Sequence, residues 1–403
     1  MRRVICLLSI TICLIFSLVS CNAKYQGESH YIDVEKAMAS MQPIHVSDLA
    51  EKVKYIPLET TDSSLINKRP YIRRFGNTLL VASMSQPIMM FDIETGKYIK
   101  NVGGIGQGRG EYVPDYDRPV FWTDSSEKHI FVKSAGGRIL QYDFAGNYTG
   151  MVKLPQELKS VSGLSQIATD NDFYFYRNYL FEERAYDILK VDYHAGTLED
   201  SITGKQQAIE SDQTGGLIVF PGFGGIPVSP TCYIFRLRNS DMALDYKEDP
   251  CLWNYMGDVY FKKRFNDTIY QVNEHAMHLR YVFHLGDRRI PNEDRFKTEG
   301  VDDKISIEYV LESKKALLFM LKTKHYHFEP NIYWGVYDKH THEVKISDKK
   351  QLEDESNGYV VEELHTATSD GAIVGLISAE RYMEMSGNTQ MTEEDNPVAV
   401  VLE

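Results

Sequence analysis

Ten residues, "RGEYVPDYDR" from Arg109 to Arg118, hold the densest set of groups in the chain that could do chemistry. Glu111, Asp115 and Asp117 are carboxylates, and Tyr112 and Tyr116 stand among them. Aromatic rings stack on the apolar faces of sugars, while carboxylates accept hydroxyl protons or bind a hard cation through oxygen. Arg109, Glu111, Tyr112, Asp115, Tyr116 and Asp117 therefore form a candidate ligand site. A cleaving enzyme, hydrolase or lyase, would use Glu111, Asp115 and Asp117 as acid and base. Glycoside hydrolysis needs two carboxyl groups about 5 to 9 Å apart across a cleft. One loop provides that only in part, so the partner carboxylate would come from elsewhere in the fold. The competing reading is a solvated loop whose tyrosines pad a neighbouring element.

Just before it, "GGIGQGRGEY" (103–112) places five glycines in eight positions, as a phosphate loop does. The spacing argues against a nucleotide. A dinucleotide fingerprint needs glycine three residues after each G-x-G, and those positions hold Arg109, Glu111 and Val113. A P-loop fits Gly103 and Gly108 but finds Arg109 and Gly110 where Lys and Ser or Thr belong. Pro114 follows, so no helix dipole faces the loop. The glycines read instead as a crossing with positive φ between two structural units.

His325-x-His327 and His340-x-His342 are the histidine pairs at metal-like spacing. On strands, i and i+2 share a face, and a hairpin could gather all four imidazoles around zinc. Lys324, Lys339 and Glu343 beside them favour surface histidines instead, and no metal or cofactor is assigned. Neither a calcium loop nor a G-x-S-x-G elbow is present. Cys232 and Cys251 lack a basic neighbour that would activate a thiol. They form a disulfide or remain two unpaired thiols, and spacing does not choose between these.

The first residues set an address. Arg2 and Arg3 precede an uncharged apolar run to Val19, with the layout of a secretory signal over 1–20 that is too short to span a bilayer comfortably. Leu18-Val19-Ser20-Cys21 resembles the lipobox of bacterial lipoproteins, in which the cysteine is acylated. Acyl chains on Cys21 would anchor the protein in a membrane, since each buried methylene contributes about 0.8 kcal/mol. Residues 21–43 then form a lipidated tether. Removal of 1–20 leaves 383 residues with formal charge −15, against −13 for the whole chain. Such an acidic surface repels phosphate backbones, so no nucleic-acid partner is expected.

Elsewhere the chain is written in short alternating runs of Tyr, Phe, Val and Ile cut by Gly, Asn and Asp, which predicts antiparallel strands. Helical periods are confined to Val34–Met41 and, more weakly, Ile307–Lys322. "IMMFDIETGKYIKNVG" (88–103), "ILQYDFAGNYTGMVKL" (139–154) and "ILKVDYHAGTLEDSI" (188–202) repeat one hairpin, with Asp92, Asp143 and Asp192 at intervals of 51 and 49. "TIYQVNEHAMHLRYVFHLG" (268–286) and "YWGVYDKHTHEVKIS" (333–347) are looser copies. A period of about 40 to 50 is that of propeller blades, each burying its sheet only against its neighbours. The expected fold is an all-β, six-bladed β-propeller of four-stranded antiparallel blades over 44–403.

"IHVSDLAEKVKYIPLETTDSSLI" (44–66), "VGGIGQGRGEY" (102–112), "KKRFNDTIYQV" (262–272) and "EDNPVAVVLE" (394–403) together resemble the six-bladed β-propeller lipoproteins of anaerobic Gram-negative bacteria, relatives of NHL-repeat propellers. The resemblance covers the chain from Ile44 onward and implies the fold and an exported, anchored state. It brings no catalytic residues. Relatives often carry proline where this chain has Arg109. The function expected is non-catalytic binding or scaffolding of a peptide, glycan or protein partner in the cell envelope; the alternative is the carboxylate-based cleaving enzyme described above.

Overall fold

Alternation of β-branched and aromatic residues with polar ones makes strands here because each sheet has two faces to bury. The computed structural model describes residues 30–403 apart from 115–117, 156–157, 159–164, 179–182, 206–213, 222–230, 238–242, 248–251, 264, 274, 292–293, 295–296, 298, 326–329 and 350. It is an all-β, six-bladed propeller.

In blade one, strands Tyr71–Phe75, Thr78–Ala82, Ile88–Asp92 and Tyr98–Val102 pair in chain order. Blade two repeats this with Val120–Thr123, His129–Ser134, Arg138–Asp143 and Tyr148–Met151. Ser165–Ala168, Asp172–Asn178, Arg184–Asp192 and Thr197–Lys205 form blade three. Leu252–Tyr255, Asp258–Phe261, Thr268–Asn273 and Ala276–His284 form blade four. Ser306–Glu312, Ala316–Thr323, Asn331–Asp338 and Val344–Ser347 form blade five. Blade six takes Glu363–Ala367, Ile373–Ile377 and Val398–Leu402 from the C-terminal end and its outer strand, Val53–Pro57, from the N-terminal end. Tyr55 pairs with Val400 in that antiparallel seam, so the two ends of the chain close the ring.

Six apolar clusters lie between successive blades. Leu80 and Val102 of blade one meet Phe121 and Ile130 of blade two, and Ile72 and Leu79 meet Val374 and Val401 of blade six. Tyr176 and Ile188 of blade three pack directly on Leu252 and Phe261 of blade four. A three-stranded sheet, Thr214–Pro221, Thr231–Leu237 and Ala243–Lys247, is inserted in the chain between those two blades. The ring closes without it, because each blade needs only two neighbours to cover its faces.

The periodic aspartates end the third strand of their blades. Asp92 Oδ1 accepts from Thr95 N at 2.8 Å, Asp192 Oδ1 from Ala195 N at 2.9 Å and Asp338 Oδ1 from Thr341 N at 2.8 Å. An Asx turn thus fixes each outer hairpin.

Two expectations change. Ile307–Lys322, read as a weak helix, is two strands of blade five; its run Ala316–Thr323 is buried throughout, and a strand covered on both faces loses its alternation. Residues 30–43, assigned to the tether, belong to the folded body. Strand His30–Asp33 adds in parallel to the outer edge of blade four, with Ile32 opposite Phe283. Helix Val34–Met38 follows, capped by Asp33, whose Oδ1 accepts from Lys36 N at 3.0 Å. Gln42 N then donates to Ile346 O of blade five at 2.8 Å. Residues 30–52 form a strap over the rims of blades four, five and six. Four residues paired in parallel are too few to announce a strand in a sequence.

Candidate functional site

The loop proposed from its carboxylates joins the outer strand of blade one to the innermost strand of blade two. Its glycines act as a crossing: Gly103 and Gly110 have φ of +61° and +76°, and a Cβ on Gly103 would lie 2.6 Å from the Tyr142 hydroxyl. Glu111 folds back on the loop, its Oε2 accepting from Gly108 N at 2.8 Å. Tyr112 is fully buried; its hydroxyl accepts from Ile88 N at 2.8 Å and donates to Val102 O at 3.0 Å. Arg109 is exposed. Asp115, Tyr116 and Asp117 lie outside the described residues. Glu111 and Tyr112 therefore build the crossing, and the loop reaches the channel through Arg118, whose guanidinium sits 5.1 Å from the centre of the Tyr71 ring.

Of these histidines, His325 does not converge with His340 and His342. His325 is buried just past one end of blade five's second strand, its Nε2 3.0 Å from Lys304 O. His340 and His342 sit in the turn after the third strand, at the other end of the blade, where His342 Nδ1 is 2.6 Å from the Tyr337 hydroxyl. His327 lies outside the described residues. The length of strand Asn331–Asp338 separates the two groups, about 25 Å at 3.3 Å per residue. Among the described residues no cluster of three or more His, Cys, Asp or Glu is arranged for a metal. Cys232 is in the inserted sheet, and Cys251 lies outside the described residues.

What the fold does assemble is a chamber along the propeller axis, lined by the innermost strand of every blade. It reaches the end of the channel where the first hairpin of each blade turns. Part of that end is covered by the turn of blade six: Ser369 O accepts from Met256 N of blade four at 2.8 Å, and Ser369 Oγ donates to Ser125 O of blade two at 3.2 Å.

Most charges in the wall are already paired. Glu312, almost fully buried, lies 2.7 Å from Lys339 Nζ through Oε1 and accepts from Trp253 Nε1 at 2.8 Å through Oε2. Burial draws the Lys339 ammonium below the usual lysine range, with Glu312 opposing that trend. Asp124 holds the His129 ring at 2.8 Å. Arg74 bonds Glu403 at 3.2 Å and lies 3.8 Å from Asp370. Burial raises the Glu127 carboxyl above its ordinary value, while Glu127 Oε2 accepts from Gly76 N at 2.7 Å. His365 is fully buried; Nδ1 accepts from Ile72 N at 3.1 Å, which leaves the proton on Nε2, 3.2 Å from Glu363. Burial holds its pKa below the usual imidazole value, and the neutral ring stacks parallel to Tyr71 at 6.0 Å.

Three buried polar atoms of residues that line it have no hydrogen-bond partner among the described residues: Arg73 Nε, Trp122 Nε1 and Asn254 Oδ1. Buried polar groups are almost always bonded, and an unmet one costs about 1–3 kcal/mol. Asn254 Nδ2 donates to Ala168 O at 2.6 Å, which fixes the orientation of the amide. Sequence reasoning did not single out these residues, because each sits alone on a different blade. The available signal was "YIRRF" (71–75): two adjacent arginines in a short apolar strand point to opposite faces, so one of them must find a polar interior.

The family whose description is "Domain of unknown function (DUF4934)" matches residues 30–403. No curated protein matches the chain. Among solved structures, a Bacteroides fragilis protein described as a "Putative exported protein" is 16% identical, with a TM-score of 0.58, over 93% of this chain and 98% of that one. The structure of U3-55K is 10% identical, with a TM-score of 0.39, over 89% of this chain and 100% of the other. At 16% identity the first likeness is one of fold. Among the described residues no helix is long and apolar enough to cross a membrane.

Proposed function

This chain belongs to the DUF4934 family of unknown function, and on that footing we propose that it is an exported, non-catalytic binding protein of the cell envelope, anchored by lipid on Cys21, whose ligand or partner is received at the propeller channel. The observation that carries this reading is the chamber, to which all six blades contribute and whose lining combines the rings of Tyr71, Trp122 and Trp253 with polar side chains such as Asn254, Thr366 and Arg73. Binding sites on this kind of scaffold are concave, largely apolar and furnished with a few polar groups that orient the guest. The signal-like residues 1–20 and the Bacteroides fragilis structural neighbour described as exported support export. Binding is favoured over cleavage by the use made of the acids: Glu111 bonds its own loop, and Glu312 and Asp124 are held by Lys339 and His129.

The test is capture by the soluble chain beginning at Asn22 from cell-envelope extract in mild salt. Recovery of a discrete peptide, glycan or protein, lost when Thr366 in the chamber wall is replaced by Trp, is the expected result; recovery of nothing ends the proposal. For the anchor, Cys21→Ala should abolish incorporation of labelled fatty acid and release the protein from membranes. A variant that stays membrane-bound removes the anchor.

A further inference from the structure

We propose that the strap is the face this protein lays against a lipid bilayer, with Tyr31, Met41 and Leu279 seated among the headgroups at the rim of blades four and five. It rests on the lipid anchor at Cys21 and adds which part of the fold meets the membrane that the anchor enters.

Chain length restricts the choice of face. Nine residues separate Cys21 from His30, where the chain joins the outer edge of blade four. An extended chain spans at most about 3.3–3.6 Å per residue, so His30 stays within about 30 Å of the acylated cysteine. Ile32 and Val34 are fully buried, and Gln42 N donates to Ile346 O at 2.8 Å, so the strap does not peel from the ring to lengthen that reach.

The surface presented there suits a headgroup layer. Tyr31 is 58% exposed, and its ring stacks on His284 at 5.1 Å, which fixes it at the edge of blade four. Leu279, 44% exposed, lies on the outer strand two residues before Tyr281, the residue opposite His30. Ala39 to Pro43 are five consecutive exposed residues without a charge, and Met41 among them is 45% exposed. Tyrosine favours the membrane interface, and methionine and leucine gain by leaving water. Charge does not oppose the contact. On the strap from His30 to His45 and on strand Ala276–His284, Asp33 and Glu35 are matched by Lys36 and Arg280, in a chain of net charge −13. An anionic leaflet repels the acidic remainder, so this neutral rim is the side that approaches it.

The test uses the acylated full-length protein on vesicles of phosphatidylethanolamine and phosphatidylglycerol that carry a lipid with a diazirine in its headgroup. After irradiation, mass spectrometry locates the adducts. They are expected on Tyr31, on residues 39–43 and on Leu279, and to be absent from Phe144 and Met151 of blade two, which are themselves more exposed than Met41. Tyr31→Glu, Met41→Glu and Leu279→Glu together should abolish the strap adducts while the protein stays on the vesicles through its acyl chains. Met41→Glu alone, outside any strand or helix, should remove only the adducts on 39–43 and covers the case in which the triple variant does not fold. Adducts concentrated on blade two or spread evenly around the rim overturn the inference, as does a pattern unchanged by these variants. Acylated protein labelled elsewhere removes the docking face and leaves the anchor standing; protein that carries no acyl chain at Cys21 takes both down.

Discussion

The ammonium of Lys339, half-buried in the turn after blade five's third strand, lies 2.7 Å from the carboxylate of Glu312, which is buried at the end of the first strand beside the channel. Lys339 also donates to Ser313 O at 2.7 Å and rests 3.9 Å from the centre of the Tyr255 ring. Each ion is tolerable there only because the other is present. Lys339→Met should lower unfolding free energy by about 3–5 kcal/mol, because it strands a buried carboxylate. The double variant Lys339→Met with Glu312→Gln should recover much of that loss in urea titrations. Equal destabilisation by the single and double changes would mean that packing, not charge, governs the pair.

Two glycines, Gly103 at the crossing between blades one and two and Gly136 in the turn between the second and third strands of blade two, separate two physical costs. Gly136 has φ +77° and open space around its missing side chain, so Gly136→Ala should cost only about 1–2 kcal/mol, the left-handed backbone penalty. Gly103 has φ +61° and would also press a methyl against Tyr142 and Gly110 O, adding about 1–3 kcal/mol of overpacking. Thermal melts of the two variants side by side check the order.

Tyr112 gives a single-atom test. Tyr112→Phe removes the hydroxyl that bridges Ile88 N and Val102 O, leaving a buried N–H unmet at a cost of about 1–3 kcal/mol. The change should act on stability and leave capture of any envelope partner intact at temperatures where the variant is folded.

His365 sets a pH dependence. Its folded pKa lies below the unfolded value of about 6.5, so the unfolded chain binds the proton first. Its contribution is complete above about pH 6.5 and is lost as pH falls from there towards the folded value. The stability difference between wild type and His365→Gln should therefore shrink from pH 7.5 to pH 5.5. A difference that grows on acidification would place the charged imidazole inside the channel.

The strap makes the last prediction. Ile32 and Val34 are fully buried against blades four and five, so Ile32→Ala should cost about 2–5 kcal/mol despite lying outside the ring proper.

Period and turn chemistry made the blades legible. Asp92, Asp143 and Asp192 mark the outer hairpins because an aspartate that caps its own turn is a local device, written within four residues. The ring count followed from that spacing. The strap was hidden because Ile32 and Val34 acquire meaning only beside Phe283 and Leu285, some 250 residues away. The chamber was hidden for a similar reason. Arg73, Trp122 and Asn254 share no motif, and their lack of partners emerges only when six strands meet on one axis. Loop "RGEYVPDYDR" drew the eye because its acids are contiguous, yet contiguous groups tend to satisfy one another, as Glu111 and Gly108 do.

The chain enters the folded body through an outermost edge strand, His30–Asp33 on blade four, far from both mouths of the channel. Anything fastened upstream of His30 therefore grips the molecule as a hand grips the tyre of a wheel. Such an attachment leaves the six innermost strands, and the chamber they line, untouched.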